Sequence, residues 1–348
     1  MSEWEWIYFT SLATSFFLCL LIVPFCSWIS RRTGLLDRPG GHKSHDEVTP
    51  LLGGGAIFVS LWSTVGLLVT SGWLDWTLPL QGIFLGSLLI FLMGLVDDAR
   101  GLAVGTKFII QVGAAVVVIL HGGVVSLFMG RNVLTIGITL VWIVGITNSF
   151  NLLDNMDGLA SGVAGICCLL FSLVAFRQGD FQTLLLSTAL MGSSLAFLRF
   201  NFDPAEIFMG DAGSGMIGFY LGCISVYAEY LTTSRLQHLP IITPILIFSV
   251  PLYDTFSVMF IRLLEGRSVW DADNKHFSHR LVSLGLSPRA AVMLIYLVTF
   301  TVGIQATFLT TVVLQDAIIL LLHTLAIFGI IIILEYAGAA VDSELSKK

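Results

Sequence analysis

Five polar clusters interrupt this chain, and their residue types suit hard cations and phosphate oxygens. GLVDDARG ends an apolar run with two adjacent acids, Asp97 and Asp98. Carboxylates at a helix C-terminus oppose the macrodipole, so their placement calls for a nearby cation. The stretch from Asn148 to Ala160, NSFNLLDNMDGLA, crowds Asn148, Asn151, Asp154, Asn155 and Asp157 between two apolar runs. Helix capping explains one such residue but not five. FMGDAGSG places Asp211 before a helix, among glycines that let backbone approach a ligand closely. Asp211 there is either an N-cap or a ligand for Mg²⁺, which takes carboxylate and amide oxygens. The fourth cluster, DADNKHFSHRL, carries Lys275, His276, His279 and Arg280. The two flanking cations would repel a metal, whereas four donors in six residues suit a diphosphate. The fifth, Asp37 to Gly55, holds Lys43 and His45. Taken alone it is a basic loop, and Lys107 alone is equally ordinary. Asp254 stands apart, inside an apolar run after Pro251.

What positions these clusters is a membrane. The 348 residues are 56% hydrophobic and only 11% charged, against roughly 25% charged in a soluble domain. Mean hydropathy is +0.90. A helix needs about 20 apolar residues to cross a bilayer. Eleven segments qualify: 7–29, 51–71, 78–96, 105–121, 134–151, 158–176, 181–199, 212–231, 240–262, 289–311 and 315–336. The expected fold is an all-α polytopic bundle forming one domain over residues 1–348. The five cysteines lie in or beside apolar runs and show no ligand spacing, so they are expected as buried thiols.

Lys and Arg set the orientation. With the N-terminus outside, all but Arg131, Arg177 and Arg235 of the 17 Lys and Arg fall on the inner side. The C-terminus is then cytoplasmic. The unusual residues gather on that same side, in segments 30–50, 97–107, 148–158, 200–215 and 263–288. Acids that hold a divalent metal and cations that hold phosphates, on one membrane face, suit phosphoryl transfer, where positioning and charge neutralisation dominate. A channel or transporter would instead distribute its acids through the bilayer and leave the His–Arg loop idle.

The motif order resembles the polyprenyl-phosphate N-acetylhexosamine-1-phosphate transferases. Its carriers are KSHDEVTPLLGG, GLVDD, TKFIIQ, NSFNLLDNMDGLA, FMGDAGS, PLYD and KHFSHRL, over roughly residues 30 to 290. The resemblance is to the WecA/TagO type. The run of consecutive histidines found in MraY is absent, which argues against a muramyl-pentapeptide donor. Ser278 stands where a His is common, Asn155 where Gly is usual, and Trp270 in SVW where SPF is common.

The resemblance implies transfer of a sugar-1-phosphate from a UDP-N-acetylhexosamine to an undecaprenyl-type phosphate, with UMP released. It implies Mg²⁺, with Mn²⁺ as an alternative, and a plasma-membrane location. No nucleic-acid partner is expected. Carried over position by position, Asp211 and Asn151 are the implied metal ligands. Asp97, Asp98, Asp154 and Asp157 are the implied catalytic acids, with Asp157 also on the nucleotide side. Lys43, His45, Lys107, Asn148, His276, His279 and Arg280 are the implied substrate contacts.

Overall fold

A computed structural model describes residues 3–37, 48–125, 131–228, 242–269, 275–309, 312 and 314–345. The chain forms two compact units, Met1–Glu229 and Tyr230–Lys348.

The first unit holds α1 (Glu3–Thr33), β1 (Leu36–Asp37), β2 (Thr49–Pro50), α2 (Gly53–Thr70), α3 (Leu78–Arg100), α4 (Val104–Leu120), α5 (Val133–Leu153), α6 (Leu159–Gln178), α7 (Phe181–Asn201) and α8 (Gly210–Tyr227). Several helix starts are legible in their caps. Thr77 accepts the Leu80 N–H before α3, Asn132 and Thr135 cap each other's backbone at α5, and Asp180 accepts the Thr183 N–H at α7. Strands β1 and β2 form a two-residue antiparallel ladder, Leu36 opposite Pro50 and Asp37 opposite Thr49. This ladder is the only strand pairing among the described residues.

The centre of this unit is α8. It is buried from Ala212 to Ser225 and is packed by α2, α3 and α5. Such close packing needs residues without bulk. A Cβ on Gly54 would overlap the Gly213 backbone, and one on Gly94 would overlap the Ala212 backbone. Backbone bonds add a second tie at the head of α8. Phe208 N–H donates to Pro50 O at 2.8 Å, and Gly54 N–H to Met209 O at 2.9 Å.

The second unit holds α9 (Thr243–Ile247), α10 (Ser249–Leu264), α11 (Phe277–Ser283), α12 (Pro288–Gly303), α13 (Ala306–Leu309) and α14 (Leu314–Leu345). Within it, α10 packs on α12, and α11 packs on α12 and α14.

The protein is an all-helical polytopic membrane protein. Eight helical segments of the described residues are long and apolar enough to span a bilayer. They match eight of the eleven expected segments. The other three take different forms. Residues 105–121 fall in α4, an apolar helix of 17 residues. Of the expected segment 212–231, residues 212–227 fall in α8, whose opening GDAGSG dilutes its hydropathy. Of the expected segment 240–262, the described part is split, α9 ending and α10 starting on either side of Phe248. Large apolar side chains such as Phe17, Leu21 and Phe25 on α1 and Leu325, Ile330 and Ile333 on α14 are more than half exposed. Lipid tails suit a surface of that kind. All five cysteines are free and buried, as expected.

Candidate active site

Four helix ends in the first unit converge on one polar cluster. The C-terminal turn of α3 brings Asp97 and Asp98, the first turn of α4 brings Lys107, the last turn of α5 brings Asn151, and the first turn of α8 brings Asp211.

Lys107 sits between two carboxylates. Its Nζ lies 2.5 Å from Asp97 Oδ2 and 3.0 Å from Asp211 Oδ2. The other Asp97 oxygen, Oδ1, accepts the Leu102 N–H at 2.6 Å. Asn151 Nδ2 donates to Asp211 Oδ1 and to Ser214 Oγ, each at 3.1 Å. A carboxylate only accepts, so the amide nitrogen of Asn151 must face Asp211. That turns Asn151 Oδ1 the other way, and no described residue donates to it.

Asp98 serves a different purpose. Its two oxygens accept the backbone N–H groups of Asp211 at 2.8 Å and Ala212 at 3.2 Å. These are among the donors an α-helix leaves unpaired at its start. Gly210 makes room: its φ is +70°, and a Cβ there would collide with Asp98 Oδ2. The two acids ending α3 therefore find their compensation separately, Asp97 in an ammonium and Asp98 in the N-terminus of α8.

Asp154 follows α5 and receives no hydrogen bond from a described residue. Burial, and then the Asp211, Asp98 and Asp157 carboxylates, push its carboxyl from the usual 3.8 up to about 8. It is held mainly as the neutral acid near pH 7.

Two expected contacts of this unit are engaged elsewhere. Asn148 trades hydrogen bonds with Gln111 of α4, its Nδ2 donating to Oε1 at 2.7 Å and accepting back through Oδ1 at 3.4 Å. Asp157 Oδ2 accepts the Ala205 N–H at 2.8 Å, tying the turn before α6 to the segment before α8. Asn201 completes that tie. Its Oδ1 accepts from Gly158 N–H and Ser161 Oγ, both at 3.1 Å, and its Nδ2 donates to Ile207 O at 3.0 Å. Sequence reasoning missed Gln111 and Asn201, although TKFIIQ contains the first. Asn201 closes α7 and Gln111 lies within α4, and a polar amide in so apolar a chain was the available signal.

In the second unit, buried Asp254 accepts from His276 Nδ1 at 2.9 Å and from the Phe277 N–H at 2.5 Å. Arg280 spends its fork inside the unit: Nε on Glu335 Oε1 at 3.0 Å, one terminal nitrogen on Ser257 Oγ at 2.8 Å, the other on Lys275 O at 2.5 Å. Tyr253 holds the second Glu335 oxygen at 3.0 Å. Glu265 pairs with Lys275 and Arg267. His279 is pushed below the ordinary histidine value by burial and by His276, against the opposing pull of Asp254. Lys43 and His45 lie outside the described residues.

Known proteins resemble this chain closely enough to place it. A profile described as glycosyl transferase family 4 matches residues 80–229. A probable undecaprenyl-phosphate N-acetylglucosaminyl 1-phosphate transferase of Bacillus subtilis (strain 168) is 33% identical over 337 residues, covering 94% of this chain and 90% of its own length. The chain belongs to the polyprenyl-phosphate N-acetylhexosamine-1-phosphate transferase family. A decaprenyl-phosphate N-acetylglucosaminephosphotransferase of Mycolicibacterium smegmatis is 32% identical over 76% of this chain and 73% of that protein. The undecaprenyl-phosphate alpha-N-acetylglucosaminyl 1-phosphate transferase of Escherichia coli K12 is 26% identical over 83% and 80%. The transferase profile spans the residues that build the Asp97–Lys107–Asp211–Asn151 cluster.

The family's implied Mg²⁺ has a chemical fit here. The cluster offers hard oxygens, and those of Asp154 and Asn151 Oδ1 carry no donor from described residues. No three His, Cys, Asp or Glu side chains of the described residues are grouped as ready ligands. Lys107 bonds both Asp97 and Asp211, and Asp98 accepts the first backbone N–H groups of α8.

Proposed function

We propose that this chain transfers N-acetylhexosamine-1-phosphate, with N-acetylglucosamine as the sugar, from a UDP-sugar to an undecaprenyl-type polyprenyl phosphate. The product is the lipid-linked first sugar of a cell-envelope glycan such as an O antigen or a teichoic acid, and UMP leaves. The observation that carries this reading is the Asp97–Lys107–Asp211–Asn151 cluster in a chain whose relatives bear that activity in their names. The proposal extends to Mg²⁺, to eleven crossings with the N-terminus outside and the C-terminus cytoplasmic, to the plasma membrane, and to one activity served by all of residues 1–348.

In the proposed reaction an oxygen of the lipid phosphate attacks the donor's β-phosphorus. A new P–O–P linkage forms, the bond from that phosphorus to its bridging oxygen breaks, and the oxygen departs with UMP. A phosphate monoester has its second pKa near 6, so the nucleophile is mostly dianionic at neutral pH and needs no strong base. Asp97 is poorly placed for base work, since both of its oxygens already hold donors. Its role is to hold Lys107, whose ammonium attracts phosphate oxygens. Asp98 holds the backbone at Asp211. Asp211 and Asn151, once Lys107 and the Asn151 amide give up the Asp211 oxygens they now bond, would hold Mg²⁺ with Asp154 beside them, and a bound Mg²⁺ supplies Lewis-acid charge neutralisation. Asp157 holds the turn before α6, and Asn148 ties α5 to α4.

The test is UMP release from purified protein given Mg²⁺, polyprenyl phosphate and a panel of UDP-sugars. UMP is expected with UDP-N-acetylglucosamine, and a chelator or Asp211→Asn is expected to remove it. No UMP with any donor would sink the transferase reading. Full activity in Asp211→Asn would sink the metal assignment alone.

A further inference from the structure

A carboxylate inside an apolar helix is costly unless its lone pairs are answered. Asp254 lies in the second turn of α10 and is 1% exposed. Both of its oxygens are answered at one place, the junction that starts α11. Oδ1 accepts the Phe277 N–H at 2.5 Å and Oδ2 meets His276 Nδ1 at 2.9 Å. Backbone and ring of neighbouring residues are thus gripped by a single side chain.

That grip settles the chemistry of the ring. A carboxylate is acceptor only, so Nδ1 must carry a hydrogen. The proton-bearing state of the far nitrogen, Nε2, is then the variable one. No described residue bonds Nε2. The His276 side chain keeps 8% of its surface accessible. The neighbouring cations do not compete for Asp254, because Arg280 is committed to Glu335, Ser257 and Lys275 O, and Lys275 to Glu265.

We propose that Asp254 is a positioning residue of the transferase: it fixes the tautomer and direction of His276 so that Nε2 is presented to the donor's diphosphate. The proposal rests on the transferase reading for the identity of the ligand, but the tautomer claim stands independently of it. Arg280, by contrast, is a scaffold for the same junction. The group bearing on donor phosphates from this motif is His276, with His279 one turn further on.

Two experiments on the full chain in detergent test this separately. The first reads the ring without turnover. In spectra of ¹⁵N-histidine protein, with His276 assigned by its loss in His276→Gln, wild type is expected to show Nδ1 protonated. Asp254→Asn, whose amide can donate to Nδ1, is expected to move the proton to Nε2. A His276 signal that Asp254→Asn leaves unmoved overturns the proposal, whether or not the protein turns over a UDP-sugar. The second uses wild-type turnover as its control. Asp254→Asn is expected to raise KM for the UDP-sugar about tenfold or more, the loss typical of a hydrogen bond to a charged group, with KM for the lipid phosphate unchanged. In a His276→Gln background the same substitution is expected to cost almost nothing further, because coupled residues are not additive. An equal loss in both backgrounds, or equal changes in both KM values, means that Asp254 only supports the fold, and the proposal fails. An inactive wild type would count against the transferase reading and leave the spectral arm to decide this one.

Discussion

At the scale of single residues, the decisive fact is that two adjacent acids have different employers. Asp97 holds an ammonium and Asp98 holds a helix start. If Asp97 acted as a base, Asp97→Asn would lose activity at neutral pH and regain it in alkali. The arrangement predicts a loss that persists across pH, because what is missing is the anchor for Lys107; a pH–rate profile of Asp97→Asn measures this. Asp154 gives a second prediction. Its folded-state carboxyl is raised, to about 8 from the usual 3.8, so between those values the folded chain holds a proton that the unfolded chain has lost. Stability therefore falls as pH rises through that window. Thermal unfolding in chelator should show that fall, and Asp154→Asn should flatten it. An unchanged slope in the variant would assign the pH dependence elsewhere. The types of these residues were readable in the sequence. Their partners were not: Asn148 with Gln111, Asp157 with Ala205, Arg280 with Glu335 and Asp254 with His276 are bonds between distant positions, and no local pattern encodes them.

At the scale of elements, α8 is what the first unit is built to hold, and small residues let its neighbours close on it. The sequence showed glycines near Asp211 and suggested ligand approach; the structure uses several of them for helix contact instead. Gly94 and Gly113 make the contrast testable. Gly94 faces the Ala212 and Asp211 backbone, whereas nothing lies within 4 Å of a Cβ built on Gly113. Gly94→Val should overpack the site, costing about 1–3 kcal/mol or more, and should depress activity beyond its effect on the melting point by shifting Asp211. Gly113→Ala should be neutral or stabilise by up to about 1 kcal/mol, the usual helix preference over Gly. Thermal unfolding with activity measured at a temperature where both variants are folded checks both. Helix type and rough extent were legible throughout, because long apolar runs leave few alternatives. The break at Phe248 and the small β1–β2 ladder were not, since hydrophobicity averaged over a span hides a local bend and two residues are too few for a strand pattern.

At the scale of the whole molecule, a helical membrane protein carries the polyprenyl-phosphate sugar-1-phosphate transferase sequence along 94% of its length. The central claim is that a sugar travels with the phosphate next to it, which separates this reaction from ordinary glycosyl transfer. UDP-N-acetylglucosamine labelled at the β-phosphorus tests it most directly, with purified protein, polyprenyl phosphate and Mg²⁺. The label is expected to enter the lipid product, with unlabelled UMP accumulating in equal amount. Label left in the nucleotide as UDP, with sugar alone on the lipid, would contradict it.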